Sequence, residues 1–132
     1  MVINGKKSLM VVSIFISLTL LFMFAFQMSA QAQDKVFKIG ISQFVEHPAL
    51  DSAREGFLEG LSEEGFVVGE NLEVNLENAQ ADFSTTQTIA QKFKGQNLDL
   101  VLAIATPNAQ SAAGVLTDTP LVITAVTDPV AA

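Results

Sequence analysis

The sequence predicts an α/β protein built on a doubly wound parallel sheet. Short β-rich runs alternate with segments of helical period, and caps and turn residues fall at the joins. One run, Leu98 to Ala105 (LDLVLAIA), is nearly all apolar, as a central strand covered on both faces requires. Strand-helix units of this length close by right-handed crossovers, which makes the sheet parallel.

The elements follow in order. Val36 to Ser42 (VFKIGIS) is short and β-rich. Pro48 to Glu64 places Leu50, Ala53, Phe57 and Leu61 at helical spacing, and Gly65 stands where a helix C-cap belongs. Asp51, Glu55, Glu59 and Glu63 recur every fourth residue of that segment and read as a solvated face of like charges. Leu72 to Glu77 (LEVNLE) alternates like a strand with one wet face. Asp82 is placed to cap a helix to about Lys94, with Phe83, Ile89, Ala90 and Phe93 on its inner side. After the central strand, Thr106 and Pro107 read as the N-cap and first residue of a helix to about Leu116, where Ala109, Ala112 and Ala113 permit close packing. Thr119 and Pro120 end that connection, and Leu121 to Val126 is the fourth strand.

The N-terminus reads as an export signal. Lys6 and Lys7 precede Leu9 to Phe26, an apolar run of eighteen residues broken only by Ser13, Ser17 and Thr19, and Ala30-Gln31-Ala32 supplies a cleavage pattern. The expected organisation is a signal over residues 1–32 and an exported segment over 33–132. The run also meets the minimum for a spanning helix, so an uncleaved anchor is the alternative. Either way the exported segment reaches the far side of the membrane, because the lysines stay inside.

Composition excludes several function classes. Without the two signal lysines, five basic residues face fourteen acidic ones, a formal charge of −9. Such a surface repels phosphate backbones and anionic lipid heads, so no nucleic-acid partner is expected. The absence of cysteine excludes disulfides, thiolate metal sites, a cysteine nucleophile and lipidation of an N-terminal cysteine. There is no glycine-rich dinucleotide fingerprint, no phosphate loop, no His-Glu-x-x-His and no Gly-x-Ser-x-Gly elbow. A signalling receiver of similar topology would carry an acidic residue at the end of its third strand, where Ile104, Ala105 and Thr106 stand. No catalytic residue, metal site or cofactor is therefore expected, and the chain reads as a non-enzyme.

In open α/β sheets, ligands bind at the carboxyl ends of the strands, near the point where the strand order reverses. That rule selects the loops Gln43 to Pro48, Asn78 to Asp82, Thr106 to Asn108 and Thr127 to Pro129. The candidate ligand-binding residues are Gln43, Phe44, Glu46, His47, Thr106, Asn108, Thr127 and Asp128. Each has a structural alternative. Thr106 is a helix cap or, with the N–H groups of the helix it opens, a carboxylate or phosphate holder. Asp128 is a cap for a following helix or a partner for a ligand ammonium. His47 is a loop or capping residue or a ligand contact, and Phe44 packs under its loop or offers a face to an aromatic ligand.

Four stretches carry a resemblance: VFKIGISQFVEHPALDSAREGFLEGLSEEG, NLEVNLENAQAD, LVLAIATPNAQSAA and PLVITAVTDPVAA. Together they resemble the ABC-transporter solute-binding family associated with tryptophan and other aromatic amino acids, over Val36 to Ala132. His47-Pro48-Ala49-Leu50-Asp51, Ala105-Thr106-Pro107 and Thr127-Asp128-Pro129 are its specific marks. The resemblance implies a type I periplasmic-binding-protein fold of flavodoxin-like topology, with two α/β lobes gripping a ligand between their carboxyl edges. It implies first-lobe contacts near Gln43 to His47, at Thr106 and Asn108, and around Thr127 and Asp128. The implied ligand is an amino acid of aromatic type, and the implied partner is an ABC permease in the membrane.

Members of that family continue beyond the stretch matching TDPVAA into the rest of the first lobe and a second lobe. The expectation is therefore an incomplete N-terminal lobe whose ligand contacts are half present. Three other readings stay open at this stage: a half-domain that dimerises so that two copies imitate two lobes, an exported enzyme on a flavodoxin-like fold, and a non-functional fragment. A discrete dimer with one ligand per pair would mark the first, and turnover lost on changing Asp128 or His47 the second.

Overall fold

The computed structural model describes residues 35–130. The expected signal and its cleavage site lie outside the described residues, as do Ala131 and Ala132. Four strands and three helices alternate: β1 (Phe37–Gln43), α1 (Pro48–Glu63), β2 (Leu72–Asn78), α2 (Phe83–Lys94), β3 (Leu100–Ile104), α3 (Thr106–Val115) and β4 (Leu121–Thr124). The sheet is wholly parallel, in the order β2-β1-β3-β4. The chain steps from β1 to β2 on one side and then crosses over β1 to lay down β3, so the strand order reverses between β1 and β3. Among the described residues no helix is long and apolar enough to cross a membrane.

Alternation along β1 divides the core into two layers. Ile39 and Ile41 join Leu72, Leu102 and Ile104 on one face, where Leu50, Phe57, Leu58 and Leu61 of α1 pack against them. On the other face Val101 and Ala103 meet Ile89, Ala90 and Phe93 of α2 and Ala109, Ala112 and Val115 of α3. The small residues of α3 do what their size predicts and let α2 and α3 pack side by side, with Thr86 and Ser111 hydroxyls bonded at 2.6 Å in the buried seam. The α1 side is covered less completely, since none of that helix's residues is fully buried.

The helix ends follow local chemistry. His47 caps α1 by accepting the Ala49 N–H at Nδ1, and Asp82 caps α2 by accepting the Thr85 N–H. At the far end of α1, Gly65 takes φ +89°, the Phe66 N–H bonds to the Leu61 carbonyl and the Gly65 N–H to that of Ser62. This is a Schellman turn, which needs a residue free to enter the left-handed region.

Four expectations are corrected. The N-cap of α3 is Ala105, and Thr106 is the first helical residue, so its hydroxyl makes no cap bond. Phe83, expected on the inner side of α2, is 68% exposed. Asp51 is half-buried and leaves the solvated row, whereas Glu55, Glu59 and Glu63 stay exposed. The supposed wet face of β2 is partly covered by α2, with Lys92 on Glu77 and the Asn75 amide donating to Gln96 at 2.8 Å, while Leu76 on the other face is 47% exposed.

Two carboxylates, Asp99 against the start of β1 and Asp82 against the first turn of α2, set an acid limit on the fold. The Lys35 ammonium, with the Lys38 N–H, holds Asp99 below its ordinary value of 3.8. The Ser84 hydroxyl, with the Thr85 N–H, does the same for Asp82. A depressed folded-state value means that the unfolded chain binds more protons in that window, so these contributions are complete above 3.8 and fade as pH falls below it. The urea midpoint is therefore expected to drop as pH is lowered from 4 toward 2, and to drop less steeply in an Asp82→Asn, Asp99→Asn double variant. Equal slopes in the two proteins would refute the assignment.

Candidate functional site

The strand order reverses between β1 and β3, and at the carboxyl edge that reversal point, where open α/β sheets place their ligand crevice, is flanked by the loop after β1 and the start of α3. Among the described residues most of the non-glycine backbone strain lies at that edge, the exception being Asn97, at φ 49°, which precedes β3. Gln80 and Ala81 after β2, Ala105 after β3 and Ala125 after β4 all have positive φ without being glycine, at 53°, 62°, 79° and 54°. Ala105, with ψ 154°, lies in a region almost reserved for glycine. Each such residue costs about 1–3 kcal/mol, and strain of this kind persists where the surroundings fix it, often at a binding site.

Alternation decides which side chains reach the crevice. Gln43 points to the α1 side and is fully buried. Its carbonyl oxygen accepts from Arg54 Nη1 at 2.6 Å, and its amide donates to the Val45 carbonyl at 2.9 Å and to Asp51 Oδ1 at 2.8 Å. Arg54 also bonds Asp51 Oδ1 at 3.1 Å. The Gln43 side chain thus braces the turn that leads to Glu46 and His47, both exposed. His47 accepts at Nδ1, which places its proton on Nε2.

Ser42 and Phe44 face the α2 and α3 side. The Asn108 amide donates to the buried Ser42 hydroxyl, tying the third residue of α3 to β1. Asn108 is 1% exposed, and its Oδ1 is the one buried side-chain polar atom among the described residues with no hydrogen-bond partner. Thr106 Oγ1 accepts the Thr127 N–H at 3.3 Å and so links the loops after β3 and β4. Asp128 Oδ1 accepts the Val130 N–H at 3.0 Å, the geometry of a capping carboxylate. Of the three helices among the described residues, α3 alone has no side-chain cap on its first turn, and Pro107 removes one N–H there, leaving Thr106 and Asn108 as donors. The positive end of the helix dipole therefore faces the crevice uncapped.

Sequence reasoning missed two participants. Phe83 is exposed beside Phe44, with ring centroids 5.3 Å apart at 57°. Arg54 closes the network around Gln43, and its only signal in the sequence was its place one turn after Asp51. Grooves of about 410 and 430 Å³ lie at the opposite, amino end of the sheet. Their charged and amide rims are already paired, Lys35 with Asp99, Lys38 with Glu73 and Asn75 with Gln96. The carboxyl edge is the better candidate, because there an orphan acceptor, an uncapped helix and concentrated strain coincide. Among the described residues no cluster of acidic and histidine side chains could hold a metal ion.

The family model for ABC transporter substrate-binding proteins matches residues 38–132, and the chain belongs to that family. It is 51% identical over 94 residues to a tyrosine-binding protein of Clostridioides difficile, a match covering 71% of this chain and 27% of that protein. Among solved structures it resembles a ligand-free, open substrate-binding protein with adhesive properties from Clostridium difficile, with TM-score 0.71 and 54% identity over 73% of this chain and 32% of that one. An ABC domain in complex with L-Trp from Streptococcus pneumonia gives TM-score 0.68 and 38% identity, over 71% of this chain and 32% of that one. The chain thus spans about a third or less of the length of these relatives.

Proposed function

We propose that the chain is the extracytoplasmic solute-binding component of an ABC uptake transporter and supplies part of the first lobe of a site for an amino acid of aromatic type. The observation that carries this reading is the coincidence, at the reversal point of the sheet, of the uncapped start of α3 with the buried, unpartnered Asn108 Oδ1. A free amino acid is a zwitterion, and the crevice offers complementary groups. Thr106 and the first N–H groups of α3 suit its carboxylate; Asp128 or Glu46 suits its ammonium, and His47 Nε2–H is a further donor beside them. The named relatives, a tyrosine-binding protein and an L-Trp complex, favour an aromatic side chain. A second lobe supplies the opposite wall and the desolvation that this half-site lacks, and a membrane permease receives the solute. Export through the N-terminal segment places the lobe on the outer side of the membrane.

Calorimetric titration of the whole chain with L-tryptophan, L-tyrosine, L-phenylalanine and L-leucine, beside size-exclusion chromatography, tests the reading. Saturable millimolar binding of the aromatic amino acids to a monomer is expected, with leucine weaker. Equal binding of leucine removes the aromatic assignment. One ligand per discrete dimer replaces the two-lobed arrangement with a pairing of copies.

A further inference from the structure

We propose that Phe83, backed by Phe44, is the seat for the ligand's aromatic ring and sets the preference for aromatic over aliphatic amino acids. The inference rests on the amino-acid reading above and deepens it. Phe83 opens α2 at the carboxyl edge, where its ring is 68% exposed although it lies against Phe44. An isolated surface phenylalanine needs no explanation, but this one is held in place from several sides. The loop after β2 is fastened to the loop after β1 by the Ala79 N–H on the Gln43 carbonyl at 2.9 Å and the Ala81 N–H on the Phe44 carbonyl at 2.8 Å. Between those bonds and α2, two consecutive non-glycine residues, Gln80 and Ala81, are held in the left-handed region. That turn brings the chain back over Phe44 and delivers Phe83 beside it. Asp82 then locks the first turn of α2 through Ser84 and Thr85.

The pair also stands beside the polar part of the crevice. Phe44 and Ser42 lie on the same face of the β1 strand line, and Ser42 is bonded to Asn108 at the start of α3. Phe44 packs against the core layer that contains Ala109 and Ala112 of the same helix. An amino acid whose carboxylate meets the start of α3 therefore has its side chain within reach of Phe83. Neither phenylalanine carries a polar atom, so the pair recognises a ring through offset or edge-on contact and accepts indole, phenol and phenyl alike.

The chain contains no tryptophan and no tyrosine, so indole emission in a titration comes from added L-tryptophan alone. With the wild-type chain, L-tryptophan anisotropy is expected to rise and its emission to shift to the blue. Phe83→Ala is expected to weaken L-tryptophan about tenfold and to abolish the blue shift, with L-leucine affinity unchanged by calorimetry. Phe83→Leu should behave like Phe83→Ala, because bulk without a ring does not replace the contact. Since Phe83 is largely exposed, both variants should keep the wild-type denaturation midpoint, which separates this effect from misfolding. Unchanged L-tryptophan binding in Phe83→Ala overturns the inference and leaves the amino-acid reading standing. A folded wild-type chain that binds none of these amino acids overturns that reading, and the inference with it.

Discussion

Replacing Phe93 by alanine is expected to lower the unfolding free energy by about 3–5 kcal/mol, the range for emptying a buried aromatic site. Phe93 is 1% exposed and fills the space between α2 and the middle of β1. It can do so because β1 has Gly40 there: a Cβ at that position would stand 2.7 Å from Leu98 Cδ1 and 2.9 Å from Phe93 Cε2. Leu98 is half-buried and can swing aside, whereas the Phe93 ring is enclosed and cannot. Gly40→Ala alone is therefore expected to cost about 1–3 kcal/mol by overpacking. The two changes oppose one another, since the added methyl enters the space that the lost ring leaves. In a double-mutant cycle read by urea denaturation, Gly40→Ala with Phe93→Ala should cost at least about 1 kcal/mol less than the sum of the single costs. Additive costs would mean that the glycine is there for some reason other than this ring.

Much of the fold was legible because local pattern and global topology agree. The apolar run of β3 announced a strand with neighbours on both sides, and Asp82 and Gly65 marked helix ends through their own chemistry. The edge that holds the candidate site followed from chain order, once the sheet was known to be parallel. What was not legible depends on tertiary placement. Phe83 falls on the helical stripe of Thr86, Ala90 and Phe93, but it belongs to the first turn, where it meets Phe44 and most of its ring stays exposed. Ala105 gives no local sign of its positive φ, because alanine is a poor choice for that conformation, so Thr106 took the cap in the sequence reading. The bond between Ser42 and Asn108 joins residues 66 positions apart, and no periodicity reports such a pair.

Arg54→Met should destabilise the fold by about 1–3 kcal/mol while keeping most of the side-chain volume, because it leaves the buried Gln43 carbonyl oxygen without its donor. The second consequence is the more informative one. Gln43 holds the Val45 carbonyl and Asp51 together, and Arg54 fixes Gln43, so the turn carrying Glu46 and His47 depends on a residue that does not face the crevice. Arg54→Lys keeps the charge but loses the planar head whose Nη1 bonds both Gln43 and Asp51 while Nη2 pairs with Glu55, and a flexible ammonium without that second nitrogen holds Gln43 less rigidly. It is expected to retain most of the stability while amide hydrogen exchange quickens at Val45 to His47 and stays slow in β3. The same variant should bind L-tryptophan more weakly. Unchanged exchange in that turn, with stability lost in both variants, would reduce Arg54 to a packing role and leave the Glu46 and His47 loop held by its own backbone.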